Sequence, residues 1–227
     1  MSKLYGIGVG PGDPELLTIK ALRIIKESDV IVVPGETVKD SVAYKIVLGA
    51  YAQLDEKELA AVSMPMIKDK KILEENHQAG AKKIEDYLSQ GKQVAFLTLG
   101  DPTVYSTYLY IHKLVAEHGF DVEIISGITS FCAVAARLNM GLVEKEQMLH
   151  VIPASYQIKE ALELPGTKVL MKAGRKITEV KKQLAELGAE AEMIENCGME
   201  NEKIYRSVQE IPDDAGYYSR IIAKESR

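Results

Sequence analysis

Cysteine is nearly absent. Cys132 and Cys197 are the two in the chain, far apart in sequence, so neither a CxxC metal or redox motif nor a multi-disulfide framework can be built. Histidine is almost as scarce: His77, His112, His118 and His150 fall on no metal-ligand spacing, and no metal site is expected. Long hydrophobic runs are missing, as is a charged-then-apolar signal region ahead of the first strand-like run at Leu4. No membrane partner is expected, and the expected location is the cytoplasm. Dense Lys/Arg runs are lacking too, and the formal net charge of -5 argues against nucleic acid and for a small-molecule partner.

What remains is an ordinary globular composition. With 46% hydrophobic and 27% charged residues, the chain lies outside the range of disordered sequences, and its 227 residues suffice for one large domain or two modest ones. Apolar runs at Leu4 to Val9 and Val30 to Val33 flank a helical pattern at Leu17, Ala21, Ile24 and Ile25, with Asp13 as its expected N-cap. This opening reads as a βαβ unit with its two strands paired in parallel. A charged helix is expected over Lys68 to Ser89, then a buried strand over Val94 to Thr98. A helix on Val104, Tyr108, Ile111 and Val115 follows, ended by Gly119. Further strands are expected at Val122 to Ile125, His150 to Ile152, Lys168 to Met171, Ala191 to Ile194, Lys203 to Ser207 and Arg220 to Ala223. Helices are expected over Ser130 to Leu138 and from Ile177 to a stop at Gly188, so the second half suggests a mixed sheet. The fold class is α/β in two domains, with the border near Glu117 to Asp121, giving 1–118 and 119–227.

Three glycine-marked turns follow apolar strands, where ligands of open α/β sheets lie. The first holds Gly6, Gly8, Gly10, Pro11, Gly12 and Asp13; its spacing departs from the GxGxxG dinucleotide fingerprint, and Asp13 stands where a pyrophosphate would sit, so phosphate binding is disfavoured. The second is Leu99, Gly100, Asp101, Pro102 and Thr103; Asp101 either accepts hydrogen bonds from a ligand or caps the helix that follows. The third, Ser126, Gly127, Ile128, Thr129 and Ser130, reads alone as ordinary capping.

In this order, GVGPGDPELLT, LGDPTVYST and GITS resemble the tetrapyrrole (corrin/porphyrin) methylase family over essentially the whole chain, and YST after GDPTV resembles its C20-methylating branch. The resemblance implies two α/β domains with a ligand trough between them, a homodimer, and S-adenosylmethionine as methyl donor. It further implies methylation of precorrin-2 or cobalt-precorrin-2. Carried over by position, the cofactor contacts are Pro11, Leu99, Gly100, Asp101, Thr103, Val104, Tyr105, Thr129, Ser130 and Lys172; at Lys172 relatives carry a methionine, which leaves a main-chain contact. Gly10 and Arg175 are candidates for substrate binding, Arg175 as a carboxylate clamp, with Lys39 and Lys68 as weaker ones. Tyr105 and Asp101 are the candidate bases. Alternatives are another tetrapyrrole methylase, a diphthine synthase-like protein methyltransferase and, more remotely, a dinucleotide-binding oxidoreductase or nucleotide sensor.

Overall fold

A computed structural model describes residues 2–65, 67, 69–154 and 158–224. The chain divides into two compact units, Met1–Thr129 and Ser130–Arg227. The first contains β1 (Leu4–Gly8), α1 (Ile19–Glu27), β2 (Val30–Pro34), α2 (Val42–Ala50), β3 (Glu58–Val62), α3 (Lys70–Ser89), β4 (Val94–Thr98), α4 (Tyr108–Glu117) and β5 (Val122–Ile125). Its strands form one parallel sheet in the order β3-β2-β4-β1-β5. β1 and β2 therefore share a sheet without pairing, contrary to the reading of the opening segment, because β4 is inserted between them. The border falls later than residue 118, since β5 pairs with β1 and belongs to the first sheet.

Side chains alternate across a strand, and the apolar runs are buried on both faces. Ile7, Val9, Ile31, Val33, Ala95 and Leu97 pack with α1 and α2, while Leu4, Val30, Val32, Val94 and Phe96 pack with α3 and α4. On the second face β1 carries Gly6 and Gly8. The bare Gly6 makes room for Tyr108, a fully buried side chain at the start of α4 whose phenol pKa burial pushes up.

Two helix starts differ from expectation. Asp13 caps only a 3-10 turn at Pro14–Leu16, and Thr18 caps α1 by accepting the Ala21 N–H at 3.1 Å. α4 begins at Tyr108 instead of Val104, because residues 101–107 form the turn after β4. Gly119 and Gly188 take positive φ of 87° and 61° after α4 and after the helix Ile177–Glu186, as glycine can at a helix end.

The second unit contains α5 (Ser130–Arg137), β6 (Leu149–Pro153), α6 (Lys159–Leu162), β7 (Thr167–Met171), α7 (Ile177–Glu186), β8 (Glu190–Glu195), β9 (Lys203–Tyr205) and β10 (Ser219–Lys224). Its sheet is mixed, in the order β6-β7-β10-β8-β9, with only β6 and β7 parallel. Ile152, Leu170, Met193, Ile221 and Ala223 form one core face with Ile177, Val180 and Leu184 of α7. Among the described residues no helix is long and apolar enough to cross a membrane.

Candidate functional site

β4, β1 and β5 are neighbours in the sheet, so the turns at their carboxyl ends lie side by side. The three glycine turns meet. Gly10 and Gly100 exchange backbone hydrogen bonds of 3.2 and 2.8 Å, both with positive φ (78° and 72°). Gly8 and Gly127 press on the same place: a Cβ built on Gly8 would lie 2.6 Å from the Gly100 carbonyl oxygen and 2.6 Å from the Gly127 nitrogen. Only hydrogen at these positions allows three main chains to approach so closely.

Asp101 locks this junction. It is 8% exposed, and its Oδ1 accepts the Thr103 N–H at 2.8 Å and the Thr103 hydroxyl at 2.5 Å. Its Oδ2 accepts the Gly127 N–H at 3.0 Å, tying the turn after β4 to the turn after β5. The carboxylate thus does more than cap a helix: it sets the spacing of two turns, and a ligand donor would have to share oxygens already engaged. Asp101→Asn leaves an amide N–H₂ facing either Gly127 or Thr103. Loss of a buried acceptor lowers stability by about 1–3 kcal/mol, and urea denaturation should show it; an unchanged midpoint would remove Asp101 from this role.

The other expected contacts are distributed as follows. Pro11 is buried directly after Gly10, and Leu99 is partly buried between Thr98 and Gly100. Val104 donates its N–H to the Asp101 carbonyl at 3.2 Å, and Tyr105 is an exposed side chain on a backbone with φ of 50°. A second clasp holds this turn: the Thr98 and Ser106 hydroxyls are 3.0 Å apart, and the Ser106 oxygen accepts the Tyr108 N–H at 3.3 Å. Nothing local in the sequence marks Ser106 for this role.

The Thr129 hydroxyl oxygen is buried with no hydrogen-bond partner among the described residues. Such an atom is destabilising unless something supplies a partner, and together with the glycine cradle it fits a polar ligand at this end of the sheet. Ser130 opens α5, and Lys172, with φ of 59°, directly follows β7 in the second unit. Arg175 lies in a 3-10 turn at Gly174–Lys176, and its side chain falls outside the described residues, as does Lys68 entirely. Lys39 is already engaged, with Asp55 at 2.6 Å and the Tyr44 hydroxyl at 2.5 Å, and these bonds raise its pKa. Among the described residues no group of three or more His, Cys, Asp or Glu could hold a metal ion.

The family model for Tetrapyrrole (Corrin/Porphyrin) Methylases matches residues 3–212. A probable cobalt-precorrin-2 C(20)-methyltransferase of Methanocaldococcus jannaschii is 40% identical, over 76% of this chain and 73% of that protein. The cobalt-precorrin-2 C(20)-methyltransferase of Salmonella typhimurium is 32% identical over 98% of this chain and 96% of its own length. For the precorrin-2 C(20)-methyltransferase of a Sinorhizobium species the values are 30%, 98% and 95%. The fold is shared with a uroporphyrin-III C-methyltransferase of Thermus thermophilus complexed with S-adenosylhomocysteine, at TM-score 0.73 and 22% identity, covering 99% of this chain and 98% of that one.

Proposed function

Since this chain belongs to the tetrapyrrole methylase family, we propose that it transfers a methyl group from S-adenosylmethionine to C20 of precorrin-2 or cobalt-precorrin-2, in cobalamin biosynthesis. The observation that carries the substrate is the end-to-end match to two C(20)-methyltransferases, covering 98% of the chain in each. The glycine junction and the unpaired Thr129 hydroxyl support the cofactor.

S-adenosylmethionine supplies an electrophilic methyl on a sulfonium, so the protein's part is placement. Holding donor and acceptor in line can remove roughly 7–11 kcal/mol of the barrier in ideal cases. We assign this placement in the first unit to Pro11, Leu99, Gly100, Asp101, Thr103, Val104, Tyr105 and Thr129, and in the second to Ser130 and the main chain of Lys172. Gly10 and Arg175 are assigned to the substrate. A base is needed only if the methylated carbon sheds a proton. The candidates for it are Tyr105, exposed within the clasped turn, and Asp101, whose oxygens already accept three donors. The working protein is proposed to be a homodimer in the cytoplasm.

The test is incubation with S-adenosylmethionine and either precorrin-2 or cobalt-precorrin-2, followed by mass spectrometry and NMR of the product. One added methyl at C20 is expected, and the preferred macrocycle distinguishes the metal-free from the cobalt substrate. Methylation at another carbon, or of a protein acceptor instead, would replace the C20 assignment with one of the family alternatives.

A further inference from the structure

Burying a guanidinium away from any carboxylate is costly, because its lost hydration is best recovered by an opposite charge. Arg220, the second residue of β10, is in that situation. It is 6% exposed, and no ion pair joins it to any described residue. Its Nε donates to the Ser130 hydroxyl oxygen at 2.8 Å, and its Nη1 to the carbonyls of Ser219 at 2.8 Å and Tyr217 at 3.3 Å. The groups that face it are the phenols of Tyr217 and Tyr218 and the thiol of Cys197. Burial lowers its pKa, but a guanidinium stays protonated at physiological pH. The positive charge is therefore retained in place, its hydrogen bonds to Ser130, Ser219 and Tyr217 all donated to neutral acceptors.

Its location matters as much as its burial. Arg220 alternates with Ile221 and Ala223, which face the α7 core, so its side chain points to the opposite face, where it meets the first residue of α5. The start of that helix adds partial positive charge of its own. Across the sheet Arg220 pairs with Met171, the residue before Lys172. Arg220 thus stands at the same end of the second sheet as Ser130 and Lys172, both assigned above to the cofactor.

We infer that Arg220 is a carboxylate-binding residue, its charge completed by a carboxylate of a bound small molecule. This rests on the methyltransferase reading, which brings two sources of that group to the protein: the amino-acid end of S-adenosylmethionine and the carboxylate arms of the macrocycle. A planar guanidinium suits either, since it can grip both oxygens.

Calorimetry with S-adenosylhomocysteine and with 5′-methylthioadenosine, which lacks the amino-acid carboxylate, is combined with steady-state turnover of the macrocycle in the full chain. If the cofactor supplies the carboxylate, Arg220→Met weakens S-adenosylhomocysteine about 30-fold or more and leaves 5′-methylthioadenosine unchanged. If the macrocycle supplies it, both nucleosides bind as before and the macrocycle KM rises to a similar degree. Arg220→Lys, which keeps the charge without the fork, falls between wild type and Arg220→Met in the affected arm, and it decides the matter if Arg220→Met does not fold. Equal losses for both nucleosides, or no change in any arm, overturn the inference. Failure of the wild-type protein to bind S-adenosylhomocysteine would instead overturn the methyltransferase reading.

Discussion

Gly8→Ala is expected to lower methyl transfer by about 100-fold or more, the scale on which a displacement of roughly 1 Å acts on a reaction that depends on placement. The added Cβ would lie 2.6 Å from the Gly100 carbonyl oxygen, 2.6 Å from the Gly127 nitrogen and 2.8 Å from the Gly127 Cα. All three are main-chain atoms, so no side chain can rotate aside. The turns after β4 and β5 must move apart, and the Asp101 to Gly127 hydrogen bond of 3.0 Å goes with them. Overpacking of this kind also costs about 1–3 kcal/mol of stability. Calorimetry with S-adenosylhomocysteine and turnover at saturating macrocycle separate the two effects. Wild-type affinity and rate in Gly8→Ala would show that the glycine junction is not the cofactor site.

The second large effect lies one step back along the same strand face. A Cβ on Gly6 would fall on the ring of Tyr108, which is 0% exposed. That ring has little freedom to withdraw: Phe96 packs against it with centroids 5.1 Å apart, and its hydroxyl is 3.1 Å from His112 Nδ1. Gly6→Ala is expected to destabilise the first unit by about 3 kcal/mol, the upper part of the overpacking range. Tyr108→Leu is destabilising by itself, yet in the Gly6→Ala background it recovers part of the loss, with a coupling of about 0.5–3 kcal/mol in a double-mutant cycle. Additive losses in urea denaturation would mean that the ring is not the obstruction.

How far the sequence discloses this architecture depends on the element. β4 is legible to the residue, because a continuous apolar run bounded by polar and glycine positions is what a doubly covered parallel strand looks like, and β5 is legible although it is an edge strand with Glu123 among its apolar residues. β3 and α2 leave no such mark. Glu58–Val62 has two alanines and only one β-branched residue, and Val42–Ala50 is apolar on nearly every side, so neither carries a clear period. The insertion of β4 between β1 and β2 leaves no local trace, since it is decided by contacts far apart in the chain. The same limit applies to the site. The three turns were visible as glycine clusters, whereas the grip of Asp101 on Gly127 joins residues 26 apart and has no local signature. In the sequence Arg220 is simply the first residue of an expected strand. A single arginine opening an otherwise apolar stretch was the available signal, but sequence alone does not tell whether such a charge points to water.

The pairing at the middle of the first sheet joins Leu4 to Val94, and β5 arrives only after that. During synthesis β1 therefore waits unpaired while some ninety residues of chain are made, and the loop it finally closes is long, a topology that slows folding. An apolar strand left open for that time invites association with other chains. The sequence of β1, LYGIG, tempers that risk, because two of its five side chains are absent on one face. The glycines that let the finished turns touch also make the nascent strand a poor template for aggregation.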